Sequence, residues 1–336
     1  MSAPLLEIRD LSVAFMTGHG DAFEAVSGID LPVRAGELHG VVGESGSGKS
    51  VTMLAVMGLL SPGARLSGSI RLDGAELVGL SERQMRKIRG ARIGYIFQDP
   101  MTALNPLMTI GDQIAEAVRI HAPRTRRSEA RARAVDLLRL VAIPMPEKRA
   151  TQYPHEFSGG MRQRAVIAMA MANEPALLIA DEPTTALDVT IQAQIMELLE
   201  RLRQDKGVGI VLVTYDLGVV AGAARSLSIM YSGRIVERGL VDDVFATPRH
   251  PYTKGLLESL PQPDARVDRL RAIPGAPPPI TGRPAGCSFH PRCAYAIDVC
   301  RRERPALRMV DAVSVVCHRA EEIGTRALQP ESDRHA

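Results

Sequence analysis

The sequence predicts an α/β protein: a phosphate-loop nucleotide-binding domain with a mixed core sheet and a helical subdomain, then a small cysteine-containing C-terminal extension. Three observations carry this. Gly43-Glu44-Ser45-Gly46-Ser47-Gly48-Lys49-Ser50 fits G-x-x-x-x-G-K-[ST], between an apolar stretch at Glu37–Val42 and a helical pattern at Val51–Leu60. Ala176–Ala180 is an apolar run that ends in Asp181-Glu182, and α/β folds place ligand chemistry at the C-terminal ends of buried strands. All four cysteines fall between positions 287 and 317, with none before.

Taken in order, Leu6–Val13 alternates roughly and reads as an edge strand. Glu37–Val42 reads as the strand entering the phosphate loop, and Val51–Leu60 as the helix leaving it. Ile70–Leu72 before Asp73-Gly74 reads as a hairpin. Residues 108–175 are helix-rich: Ile110–Ile120 and Glu129–Val141 show helical spacing, and Pro144 and Pro146 end the second. Met161–Ala172 is a helix of good formers that Ser158 would cap. Ile191–Arg203 is amphipathic, Gly209–Thr214 is a buried strand, and Ser226–Tyr231 with Arg234–Glu237 forms a hairpin around Ser232-Gly233. Residues 246–286 are proline-rich and read as an extended linker on the core. Gly324–Ala336 is polar and without period, a tail expected to be disordered. The expected divisions are 1–245 for the nucleotide-binding domain, with its helical subdomain at about 99–174, then 246–323 for the extension and 324–336 for the tail.

The loop glycines let backbone N–H groups turn toward phosphates, Lys49 can reach the β- and γ-phosphates, and the Ser50 hydroxyl can bind Mg²⁺. Asp181 would hold Mg²⁺ through water, and Glu182 would polarise the attacking water. Ser158-Gly159-Gly160-Met161-Arg162-Gln163, Asp181-Glu182-Pro183-Thr184 and Ala186-Leu187-Asp188 together resemble the ATP-binding subunit of an ABC transporter, over about residues 5–245 and in family order. The resemblance implies an ATPase whose nucleotide is held by Gly43, Ser45, Gly46, Ser47, Gly48, Lys49, Ser50 and Val51. It puts Phe15 where an aromatic stacks on adenine, and Gln98 where a glutamine contacts Mg²⁺ and water. It also implies a head-to-tail pair of subunits, in which Ser158, Gly159 and Gly160, with Asp188 of the turn, serve the interface where the partner's ATP lies.

Phe97-Gln98-Asp99-Pro100-Met101-Thr102-Ala103-Leu104-Asn105-Pro106, His250-Pro251-Tyr252-Thr253, Ile273-Pro274-Gly275 and Phe289-His290-Pro291-Arg292-Cys293 resemble importers of peptides and nickel, over about residues 5–320. The chain is thus expected to be one ATPase subunit of an oligopeptide or dipeptide importer. A nickel or other small-solute importer, a mainly regulatory nucleotide-binding subunit, and a soluble ABC ATPase acting on nucleic acid or ribosomes are the alternatives. With one set of nucleotide motifs, the working unit needs a second ATPase subunit. The resemblance adds two membrane permeases and an extracytoplasmic substrate-binding protein.

Composition agrees. In 336 residues, a net charge of +3 and 4% aromatics without Trp give no support for a nucleic-acid binder. No apolar run approaches 18 residues and no secretory pattern opens the chain. The expectation is a peripheral protein on the cytoplasmic face of the cell membrane.

Cys287, Cys293, Cys300 and Cys317 are separated by five, six and sixteen residues. Zinc sites usually use C-x₂₋₄-C pairs, and disulfides are disfavoured in the cytosol. Four thiolates suit a [4Fe–4S] cluster, and some peptide-importer ATPases carry one on this tail. Zinc and independent thiols remain open, and His290 or His318 could replace a cysteine. A metal staple would compensate for a loop-rich tail's small core.

One position departs from the family. Val211-Leu212-Val213-Thr214 runs into Tyr215, where the family has a histidine that contacts the γ-phosphate and helps hold the water near Glu182. Tyrosine is larger and does not titrate near neutrality. The loss of one positioning group is expected to slow this chain's own hydrolysis by roughly ten- to a thousand-fold. A heterodimer with unequal sites accommodates that, because Ser158–Gly160 would still complete a fast site on the partner.

Overall fold

A computed structural model describes residues 3–16, 22–260 and 272–323. Its twelve strands are β1 (Leu6–Met16), β2 (Ala22–Val33), β3 (Leu38–Val42), β4 (Arg65–Leu72), β5 (Ala75–Glu76), β6 (Ile93–Ile96), β7 (Leu177–Asp181), β8 (Gly209–Thr214), β9 (Ser226–Tyr231), β10 (Arg234–Leu240), β11 (Arg308–Val310) and β12 (Val313–Val315). They form a four-stranded sheet, order β2-β1-β4-β5, and an eight-stranded sheet, order β11-β12-β10-β9-β3-β8-β7-β6. The first is antiparallel throughout. In the second, β9, β3, β8, β7 and β6 are parallel, and β10, β12 and β11 continue it antiparallel.

The parallel strands are buried on both faces, as their unbroken apolar runs require. Successive side chains alternate between two cores. Leu178, Ala180, Ile210 and Leu212 face the helices Ile110–His121, Arg127–Leu140, Gly159–Ala170 and Val189–Lys206. Leu177, Ile179, Val211 and Val213 face the four-stranded sheet and the helix Lys49–Val56.

Most predicted elements stand where expected, although β4, β10 and the helix Val189–Lys206 run three to five residues past their expected bounds, and three differ in kind or extent. Leu6–Val13 is not an edge: β1 lies between β2 and β4, which explains why Leu6, Ile8, Leu11 and Val13 are all buried despite the polar residues between them. The helix after the loop starts at Lys49 and ends at Val56, short of Leu60, where Gly58 takes φ +60°. Within the stretch expected to be extended, Pro251–Glu258 is a helix. Pro251 occupies the first turn, where a missing N–H costs nothing, and the His250 ring accepts from the Tyr252 N–H (3.0 Å). The expected disordered tail, and residues 261–271 of the expected linker, lie outside the described residues.

The extension is joined to the core through sheet pairing. Strand β12 pairs with β10, Glu237 opposite Val315 and Arg238 opposite Ser314.

Candidate functional site

Four neighbouring parallel strands deliver the site from their C-terminal ends, as strand order dictates. Strand β3 leads into the phosphate loop, β8 into Tyr215, β7 into Asp181-Glu182 and β6 into Phe97-Gln98.

The loop is built by close approach. A Cβ on Gly43 would clash with the Met230 carbonyl oxygen of β9. Gly46 and Gly48 take φ +76° and +102°, conformations open to glycine, and a Cβ on Gly48 would sit 3.2 Å from the Ala25 carbonyl oxygen. The Ser47 N–H donates to the Glu44 carbonyl (3.2 Å), and the Ser47 carbonyl accepts from the Gly233 N–H (2.9 Å). The Ser47 hydroxyl is buried with no hydrogen-bond partner among the described residues. Lys49 is 4% exposed, and its Nζ donates to the Gly43 (2.7 Å) and Glu44 (3.0 Å) carbonyls. Burial lowers the Lys49 pKa, against the opposing pull of Glu182, Asp181 and Glu44. Ser45 and Gly46 are exposed at the rim, and Val51 is half-buried in the first helical turn.

The Ser50 hydroxyl donates to Asp181 Oδ1 (3.1 Å), so two of the three expected Mg²⁺-contacting residues stand together. Burial raises the Asp181 pKa, opposed by hydrogen bonds from Tyr95 and Ser50. Gln98 Nε2 donates to Glu182 Oε2 (2.7 Å), and the Thr185 hydroxyl donates to the same oxygen (3.1 Å). Glu182 takes φ +49°, a left-handed turn that lifts its side chain off the strand direction, while its N–H still bonds the Val213 carbonyl (2.9 Å).

The orphaned Ser47 hydroxyl, the glycine cradle and the paired Ser50 and Asp181 fit a phosphate chain with a hard cation. Tyr215 stands 57% exposed beyond β8, and its phenol makes no hydrogen bond among the described residues. Phe15 is half-buried in β1 and stacks on Phe23, opposite it in β2, with ring centroids 5.8 Å apart.

Ser158 and Asp188 cap helices. Ser158 Oγ accepts from the Met161 N–H (3.4 Å), and Asp188 Oδ1 accepts from the Ile191 N–H (2.9 Å). Gly160 lets the two helices meet: a Cβ there would lie 2.8 Å from Ile191 Cγ2, whereas Gly159 has more room. Ser158, Gly159 and Asp188 are exposed, and none bonds the phosphate loop among the described residues.

Tyr95 was not singled out in the sequence. Its hydroxyl donates to Asp181 Oδ2 (2.8 Å) and fixes the carboxylate from the side opposite Ser50. The signal was its place one residue before the end of β6, next to β7 in the sheet, which only the strand order reveals.

The four cysteines carry free thiols. Each of Cys287, Cys293 and Cys300 lies within electrostatic reach of Cys317. Burial pushes Cys293 and Cys317 up to about 12 and also raises Cys287. The Arg319 N–H donates to the Cys317 sulfur (3.4 Å), and the His290 N–H to the Cys287 carbonyl (3.1 Å). His290 Nδ1 hydrogen-bonds the Cys287 carbonyl (2.9 Å) and His318 Nε2 the Glu303 carbonyl (3.1 Å), so backbone oxygens engage both rings. Among the described residues no three His, Cys, Asp or Glu side chains are grouped to hold a metal ion.

Fold and site together define a phosphate-loop nucleotide-binding protein. The ABC transporter family matches residues 26–185, and the oligopeptide/dipeptide transporter C-terminal region matches residues 236–300. The chain is 50% identical to the dipeptide transport ATP-binding protein DppD of Escherichia coli over 317 residues, covering 94% of this chain and 96% of that one. It is 52% identical to the oligopeptide transport ATP-binding protein OppD of Bacillus subtilis, covering 90% and 85%. It is 53% identical to OppD of Mycobacterium tuberculosis over 91% of this chain, and spans about half (50%) of that relative's length. Among solved structures, the dimeric post-hydrolysis ATP-binding cassette MJ0796 bound to ADP and Pi superimposes with a TM-score of 0.63 at 28% identity. It covers 70% of this chain and 98% of that one. The chain belongs to the ABC transporter family of ATP-binding proteins.

Proposed function

We propose that this chain binds ATP with Mg²⁺ and hydrolyses it to drive import of oligopeptides or dipeptides through partner membrane permeases. One observation carries the reading. Lys49, Ser50, Asp181, Glu182 and Gln98 converge at the ends of adjacent parallel strands, in a chain about half identical to proteins named for oligopeptide and dipeptide transport. In this reading the loop amides and Lys49 hold the phosphates, and Phe15 packs on adenine. Ser50 and Asp181 hold the cation, with Tyr95 fixing Asp181. Glu182, held by Gln98 and Thr185, accepts the proton of the attacking water. Mg²⁺, when bound, neutralises charge on the phosphate oxygens. Tyr215 replaces an orienting imidazole with an unanchored phenol, so this site is the slow one of a pair.

The exposed Ser158, Gly159 and Asp188 suit a face that meets a second ATPase subunit, and the dimeric cassette structure supports a paired arrangement. Two permeases and a substrate-binding protein outside the membrane complete the proposed assembly. Among the described residues no helix is long and apolar enough to cross a membrane. We place the chain peripherally on the cytoplasmic face, bound to the permeases.

For the four cysteines we propose a [4Fe–4S] cluster with a structural role. The support is compositional: Cys287, Cys293, Cys300 and Cys317 are the chain's four cysteines and fall within one loop-rich region, the number of thiolates that one cubane uses. Cys287, Cys293, Cys300 and Cys317 would each supply one thiolate to it.

Uptake tests the whole reading. Cells lacking this chain should fail to accumulate a radiolabelled oligopeptide or dipeptide and regain uptake with the full-length chain. Normal peptide uptake with loss of nickel uptake would overturn the substrate class. Normal uptake of both would overturn the transport reading.

A further inference from the structure

The phosphate loop is gripped from outside by the C-terminal extension, through a residue that the loop motif leaves unspecified. The backbone N–H of Glu44 donates to the phenolic oxygen of Tyr252 (2.9 Å), in the helix Pro251–Glu258. The Glu44 carboxylate accepts from Arg292 Nη1 through both oxygens (2.9 and 3.2 Å). The Glu44 carbonyl accepts from Lys49 Nζ (3.0 Å), so one residue carries both the extension's grip and the loop's contact with its lysine.

Arg292 is itself fixed. Its side chain is 6% exposed, its Nε donates to the Pro274 carbonyl (2.9 Å), and its guanidinium lies 5.8 and 6.0 Å from the ring centres of Tyr231 and Phe289. Tyr231, Tyr252 and Phe289 pack on one another with centroids 4.7, 5.2 and 5.5 Å apart. The clamp therefore stands on a rigid aromatic base and not on a flexible surface side chain.

Two physical consequences follow. A carboxylate in a loop that receives a triphosphate repels its ligand, unless a cation neutralises it in place. A loop with three glycines also loses conformational freedom when it closes on phosphates, about 1–2 kcal/mol per residue, unless it is ordered beforehand. Arg292 answers both demands. Its Nη1 spans both Glu44 oxygens while its Nε is held by the Pro274 carbonyl, and the guanidinium is largely shielded from solvent, unlike an exposed pair.

We propose that Arg292, with Tyr252, is a positioning residue of the ATP site: through Glu44 the extension neutralises and orders the phosphate loop, so nucleotide affinity is set from outside the nucleotide-binding fold. This inference rests on the ATP-site reading above. It ties the cysteine-bearing extension to the site, since Arg292 immediately precedes Cys293.

The test is Mg²⁺–ATP binding by the full-length chain, measured by calorimetry. Arg292→Met should weaken binding by about five- to tenfold, the size of coupling expected for one ordered pair. Glu44→Gln, which removes the repelling charge together with the bridge, should weaken binding less than Arg292→Met does. In the Glu44→Gln background Arg292→Met should then add little, because its damage acts through the Glu44 charge. The loss in Arg292→Met should also shrink as salt is raised, which a purely structural role would not produce. Arg292→Lys keeps the stem and the charge without the fork, and should fall between wild type and Arg292→Met if the latter folds poorly. Wild-type affinity in both Arg292 variants overturns the clamp, as do independent, additive effects of the two sites. Lys49→Ala separates this from the underlying reading. If it weakens binding while the Arg292 variants do not, the clamp alone falls. If it has no effect, the ATP site itself is wrong.

Discussion

Lys49→Ala probes what the loop gains from its lysine. In the loop the ammonium is not a bare charge: it is 4% exposed and donates to two carbonyls, at 2.7 and 3.0 Å. Binding ATP therefore exchanges carbonyl partners for phosphate oxygens and does not create an ion pair from nothing. A hydrogen bond to a charged group contributes about 1.5–3 kcal/mol net. Part of that is already present without ligand, so the difference felt by ATP should lie toward the lower half of that range. The expected loss is about ten- to fortyfold in Kd, or roughly 1.4–2.2 kcal/mol. Calorimetry on the full chain with Mg²⁺–ATP measures it directly. A Kd within a factor of about two of wild type would refute the placement of phosphates on this loop. A loss beyond roughly a thousandfold would refute the exchange reasoning, since it would require the lysine to be unpaired before ATP arrives.

Other outcomes follow from particular side chains. Anaerobically purified chain should be brown and hold about four irons, and Cys293→Ser should bleach it; stoichiometric zinc or no metal would overturn the cluster. In the assembled transporter, Tyr215→His should raise hydrolysis at this chain's own site. Glu182→Gln should cost little of the total turnover and Ser158→Ala much more; the reverse order would show that Tyr215 is a competent substitute. Glu237 is buried beneath the Arg249 and His250 N–H groups, and burial pushes its pKa up to about 7. The folded chain thus holds that proton more tightly than the unfolded chain does. The stabilisation is fully present below the ordinary carboxyl range and is lost as pH rises through about 7. At most about 3 kcal/mol of pH-dependent stability is at stake. Glu237→Gln should flatten the urea-midpoint profile between about pH 5 and pH 8; an unchanged profile would mean the carboxyl is ionised throughout.

The local signals in this chain are strong enough to name the candidate site residues. Phosphate-loop glycines, an apolar strand ending in two acids, a serine ahead of a helix of good formers, and a 3.6-residue period are each written in consecutive residues. They single out Lys49, Ser50, Asp181, Glu182 and Ser158 from the chain without any knowledge of strand order. The cysteines' clustering was legible for the same reason. What the sequence could not give are contacts between segments that carry no mutual signal. Strand β1 reads as an edge because its polar residues alternate, yet it is hydrogen-bonded on both sides. The prolines of 246–286 hide the helix Pro251–Glu258 because Pro251 is the helix's first residue and not its breaker. Tyr95 meets Asp181 across 86 positions, and Arg292 meets Glu44 across 248. These pairings depend on which strands lie side by side and on how the extension folds back over β10. Periodicity reports the environment of one element at a time, whereas strand order and the folding back of a chain terminus are settled only when all the apolar faces are buried together.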